Sequence, residues 1–139
     1  MPTRRVGAYD KTMLRFLRER APWTILLPLI ILSGIVSRRI RTGYVLFDKY
    51  LGDALYAAMV YAILRLWLSS RAAAAGAAAL MTAIELFQLT RVAAHLLKSD
   101  HLIIRIVARL MGTDFSYLDL LAYFVAIGCI YLVDSPRKR

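Results

Sequence analysis

The sequence predicts an all-α membrane fold, with four transmembrane helices and short amphipathic helices lying in the interface. Three observations support it. Apolar residues make up 60% of the 139 residues and mean hydropathy is +0.57, more than a soluble domain carries. The apolar residues fall in long blocks rather than in alternation. Most basic residues flank those blocks, where anionic lipid headgroups would be met. The length allows one domain. In a soluble protein the formal charge of +10 would suggest nucleic acid. Here no basic surface with interleaved aromatics lies outside the membrane flanks, so no nucleic-acid partner is expected.

Residues 1–21 form a basic extension containing Arg4, Arg5, Lys11, Arg15, Arg18 and Arg20. Met13, Leu14 and Leu17 can share an apolar face, which predicts a short interfacial helix. The stretch does not read as a cleavable signal, because the apolar run after it ends in Ser37-Arg38-Arg39. A membrane domain is expected over 22–133, with a basic tail at 134–139. Its first run, 22–37, is short for a span, about 24 Å at helical rise, and Pro28 is expected to loosen its middle. Residues 38–49 form a basic loop with an apolar patch at 44–47. The second run, 50–68, carries Asp53 near its start and Arg65 near its end, where the arginine can snorkel outward. Ser69-Ser70-Arg71 then makes a tight connection and predicts a helical hairpin.

The third run, 72–89, opens on alanines and a glycine. Small residues at four-residue spacing let backbones approach closely, so this half is expected to pack on a partner helix. Residues 91–116 are too charged to span. Within them Leu102, Ile103, Ile106, Val107 and Leu110 form one face, with His101, Arg105 and Arg109 on the other. Ser99 or Asp100 is expected to cap this in-plane helix and Gly112 to end it. The fourth run, 117–133, has Asp119 in its first turn, where a helix start favours negative charge. Trp23, Trp67 and Tyr117, near span ends, are expected to anchor at the interface. Cys129, the one cysteine, is expected to be a buried apolar thiol.

Four spans put both termini and the hairpin turn on one side, with ten Lys/Arg against eight on the other and Arg65 making eleven. The positive-inside rule then favours a cytoplasmic N-terminus for this multi-pass arrangement and leaves the inverted topology open. In this arrangement Asp53, Glu85, Gln88 and Asp119 lie toward the outer side, with Arg38, Arg91, Arg105 and Arg109 in the outer loops. A carboxylate inside a membrane helix costs roughly 2.5–3.5 kcal/mol and needs a partner or water, so Glu85 carries the most information in the chain. These groups read either as a structural ion-pair network or as a pocket in which arginines hold an anionic headgroup while acids orient them. Acid–base catalysis would need two acids with separated pKa values, and nothing in the spacing supplies that. No catalytic residue, metal ligand or cofactor is expected; His95 and His101 have no zinc-like spacing.

Four segments, Gly34-Ile-Val-Ser-Arg38, Tyr50-Leu-Gly-Asp-Ala-Leu-Tyr-Ala57, Ile84-Glu-Leu-Phe-Gln-Leu89 and Gly112-Thr-Asp-Phe-Ser-Tyr-Leu-Asp-Leu-Leu-Ala-Tyr123, carry a family resemblance. With them the chain resembles a bacterial integral-membrane family catalogued as domain of unknown function 2809. The resemblance implies a small helical inner-membrane protein and no particular activity. More distantly the pattern is similar to VanZ-like proteins, which combine an early acid, a Glu-x-x-Gln helix, a loop arginine and a late acid. Tyr123 stands where those proteins tend to carry asparagine, and no histidine follows Asp53, so their resistance role is not carried over.

The leading expectation is therefore a non-enzymatic membrane protein. Its outward polar cluster, Arg38, Asp53, Glu85, Gln88, Arg105, Arg109 and Asp119, would bind an anionic lipid or a partner. An accessory subunit of a larger membrane complex is the second reading, and a membrane-embedded hydrolase or transferase acting on envelope lipids the third.

Overall fold

The structure is a computed structural model and describes residues 6–40, 43, 44 and 46–135. Among these the fold is all-helical: α1 (Val6–Arg39), a π-helical turn (Leu46–Tyr50) running into α2 (Leu51–Arg65), then α3 (Ser70–Gln88), α4 (Val92–Leu96), α5 (Leu102–Met111) and α6 (Tyr117–Asp134). The basic positions 4, 5 and 41 and the tail 137–139 lie outside the described residues, as do the side chains of Arg15 and Phe47.

α2 is the central element, packed by α1, α3 and α6, with α3 also touching α6. α1 lies antiparallel to α2. Trp23 stacks at 5.4 Å on Tyr61 near the α2 end, while Gly34 faces Leu55 near its start. α3 returns antiparallel after a turn capped by Ser69, whose Oγ accepts from the Ala72 N–H at 3.4 Å. α6 runs parallel to α2, from Asp119 beside Lys49 to Asp134 beside Arg65. The result is an up-down-up-down bundle with two polar ends.

The expected hairpin and small-residue packing are both present. Ala73, Ala77, Met81 and Glu85, one helical turn apart, are fully buried along one face of α3. A Cβ at Gly76 would meet Leu64 of α2 at 3.1 Å. Other expectations are corrected. The N-terminal extension and the first run form a single helix that passes residue 22 unbroken with Pro22 and Pro28 inside it. Each proline removes one backbone bond, and the rest of the helix ladder persists. Trp23 is a core residue rather than an anchor, because its ring fills the α1–α2 seam against Tyr61. Trp67 and Tyr117 are exposed at opposite bundle ends. Cys129 is exposed on the outer side of α6. His101, not Ser99 or Asp100, begins α5, while Gly112 ends it at φ +76° as expected.

Arg65 does not snorkel. It is buried, donating from Nε to Asp134 Oδ2 at 2.7 Å and from NH1 to the Leu68 carbonyl at 3.0 Å. Tyr61 donates to the same Asp134 oxygen at 2.6 Å. An apolar surround makes an in-chain acid a better partner for the guanidinium than a detour to the interface. The expected tail boundary at residue 134 thus falls on a residue that ties α6 to α2. Removing one member of a buried pair costs about 3–5 kcal/mol, whereas replacing both by apolar groups is close to neutral. Arg65→Ala should therefore lower the melting temperature of the detergent-solubilised protein sharply. The double variant Arg65→Met with Asp134→Leu should recover most of that loss, read by circular dichroism.

Candidate functional site

The bundle end opposite Arg65 collects the acids. Glu85 projects from the last turns of α3, is fully buried, and is held from two directions. The Ser116 backbone N–H donates to its Oε2 at 3.2 Å and the Tyr123 hydroxyl to its Oε1 at 3.1 Å. Ser116 is free to do this because it is the extended N-cap of α6, with its own Oγ accepting from the Asp119 N–H at 3.3 Å. Gln88, on the same face of α3, donates to the Met111 carbonyl at 2.6 Å and so ties α3 to the end of α5. Its Oε1 is buried without a hydrogen-bond partner. Glu85 and the Gln88 Nε2 find their partners by closing the turn between α5 and α6 onto α3.

Asp119, also buried, faces Lys49 across the bundle at 3.0 Å, with the lysine side chain half exposed and that of the aspartate 10% exposed. The neighbouring Asp119 carboxylate holds the Lys49 ammonium above its ordinary pKa, against the opposing effect of partial burial. Asp53 lies in the first turn of α2. Tyr50 keeps helical dihedrals where the π-helical turn meets α2, so Asp53 does not sit at an open helix end. Its Oδ2 is buried and has no hydrogen-bond donor. Arg38, at the end of α1, is exposed and lines, with Lys49 and Asp53, a cleft of about 630 Å³. Arg38 and Asp53 form no ion pair with each other or with any other described residue.

Of the seven expected site residues, Asp53, Glu85, Gln88, Asp119 and Arg38 converge at this end. Arg105 and Arg109 do not join the acids. Both are exposed on α5, beside an outward apolar face on which Leu102 is 62% and Ile103 76% exposed. Sequence reasoning missed Lys49, Ser116 and Tyr123. The signal for Tyr123 was its place one turn after Asp119, on the same helix face. It is also the position that departs from the VanZ-like pattern, and its hydroxyl is what Glu85 accepts. Lys49 had no local signal, since only tertiary packing brings it to Asp119.

The fold and site define a small all-helical protein with a buried acidic cluster at one bundle end and two helices long and apolar enough to cross a membrane, Leu17–Arg39 and Tyr117–Asp134. The profile of the family described as protein of unknown function, DUF2809, matches residues 43–129, and the chain belongs to that family. Comparison with curated proteins and with solved structures gives no match.

Tyr123→Phe removes one of the two donors to Glu85 while keeping the ring. Leaving a buried acceptor short of a donor costs about 1–3 kcal/mol. The variant should unfold at lower temperature in detergent, and Glu85→Gln with Tyr123→Phe should cost less than the sum of the two single changes.

Proposed function

We propose that this chain is a multi-pass, non-enzymatic protein of the bacterial inner membrane whose outward polar end binds a phosphate-bearing, anionic lipid headgroup. The observation that carries the reading is the inverted polarity of the bundle. Glu85, Gln88, Asp119 and Arg65 are buried, while Ile25, Leu29, Leu32, Phe124, Leu132 and Val133 are 46–89% exposed. Water would favour the reverse, and a hydrocarbon surround favours this arrangement.

Four crossings follow on this reading. α1 over Leu17–Arg39 has 23 residues, about 35 Å at helical rise, against a hydrocarbon core of roughly 30 Å. α2 has only 15 residues, but α1, α3 and α6 cover it. α3 turns Glu85 and Gln88 inward, so both can cross in company. Trp67 and Tyr117 then mark opposite interfaces. α5 lies in the outer interface with Leu102, Ile103 and Ile106 toward lipid. Arg105 and Arg109 add general attraction to anionic headgroups, about 1 kcal/mol each. Arg38, open in the cleft beside Lys49, makes the specific contact. The basic count keeps the N-terminus cytoplasmic.

A second reading is an accessory subunit of a larger membrane complex. Ala72, Ala75 and Ala79 support it, because this small-residue face of α3 is left uncovered by the other helices.

Purification in mild detergent followed by lipid mass spectrometry separates the two. Headgroup recognition predicts one enriched phosphate-bearing lipid that Arg38→Ala removes with membrane levels of the protein unchanged, and that Arg105→Ala only reduces. Lipid content unchanged by Arg38→Ala, with a stoichiometric protein partner present, would contradict it and favour the subunit.

A further inference from the structure

The cleft at the end of α1 is built for a ligand of two charges rather than one. Arg38 offers a guanidinium that no described acid neutralises, and this side of the site suits phosphate. Asp53 also lines this cleft, and its buried Oδ2 has no donor. The two groups stand farther apart than an ion pair, so each can contact a ligand while still feeling the other's charge. The other charges of the cleft are already engaged. Lys49 is bonded to Asp119 at 3.0 Å, and Asp48 accepts from the Gly43 N–H at 3.0 Å. A pocket meant for phosphate alone gains nothing from Asp53, which would repel it. A metal ion would meet Arg38 and Lys49. A buried acceptor lacking a donor is costly, which calls for an N–H group on the ligand.

We propose, resting on the headgroup reading above, that the cleft recognises a phosphate ester carrying a primary ammonium on a short spacer, the chemistry of a phosphoethanolamine headgroup. The phosphate sits on the Arg38 guanidinium, with Lys49 adding charge at the rim. The ammonium donates to the Asp53 carboxylate. Gly52, on the first turn of α2, also lines the cleft beside Arg38. A trimethylated ammonium has the charge but no N–H and so cannot fill the Asp53 site. A glycerol headgroup has the phosphate but no cation.

The test is calorimetric titration of the detergent-purified full chain with short-chain phosphatidylethanolamine, phosphatidylglycerol and phosphatidylcholine, and with free phosphoethanolamine. The ethanolamine lipid should bind about tenfold or more tighter than the other two, as expected for a hydrogen bond to a charged group. Asp53→Asn should erase that preference and bind phosphatidylglycerol more tightly than the unaltered protein does, since a charge that repels phosphate is gone, while Arg38→Ala should weaken all three. N-acetylated phosphatidylethanolamine, tested on the unaltered protein, should also lose the preference, which removes any dependence on whether Asp53→Asn folds. Equal binding of the ethanolamine and glycerol lipids, both lost in Arg38→Ala, would overturn this inference and leave the headgroup reading standing. No Arg38-dependent binding of any lipid or of phosphoethanolamine would overturn both. Free phosphoethanolamine binding as tightly as the lipid, with the same Asp53 dependence, would support the phospho-amine chemistry and make the ligand soluble.

Discussion

The rest of the structure turns on one constraint: the Glu85 carboxylate is fully buried and must be given donors. Its donors come from a backbone N–H and a phenol on or beside α6, so meeting the constraint fixes α3 against the start of that helix. Ser116 can donate only because it stands outside the helix as its cap. The turn between α5 and α6 is therefore pinned at two points, by Glu85 and by the bond from Gln88 to Met111. Once that corner is set, Asp119 faces inward to Lys49, and the π-helical turn is drawn against the head of α6.

At the far end the same logic recurs with different residues. Arg65 and Tyr61 each make one short contact to Asp134 and hold the ends of α2 and α6 together. α2 is thus polar-locked at both ends and packed along its length by alanines and a tyrosine. On the membrane reading proposed above, a helix covered by three neighbours does not itself have to match the thickness of a bilayer. Exposed leucines, isoleucines and valines on α1 and α6 face outward, while Arg65, Glu85 and Asp119 face in.

How much of this was legible in the sequence depends on whether the decisive interaction is local or long-range. The hairpin turn, the Gly112 stop, the amphipathic face of α5 and the small-residue stripe of α3 follow from spacing along one helix, and all are present. The convergence of Asp53, Glu85, Gln88 and Asp119 at one bundle end also followed, because alternating helix direction fixes which ends meet. Pairings across helices did not. Arg65 reads as a snorkelling residue until Asp134, sixty-nine residues away, is known to reach it. Trp23 reads as an anchor until Tyr61 is seen under it. Cys129 sits mid-run, and periodicity around a uniformly apolar helix could not say which face points outward. The continuity of α1 was obscured by two prolines and a charged first half, since propensity weighs both against a single long helix.

The central claim is that the Glu85–Asp53 end and the Arg65–Asp134 end of the bundle lie on opposite faces of a membrane. Sided labelling tests it most directly. In a Cys129→Ser background, single cysteines at Asp114, in the turn before α6, and at Ser69, in the turn before α3, would be probed with a membrane-impermeant maleimide on intact cells and on inverted membrane vesicles. The account predicts that Asp114→Cys labels from outside only and Ser69→Cys from the cytoplasmic side only. Labelling of both from the same side would contradict it.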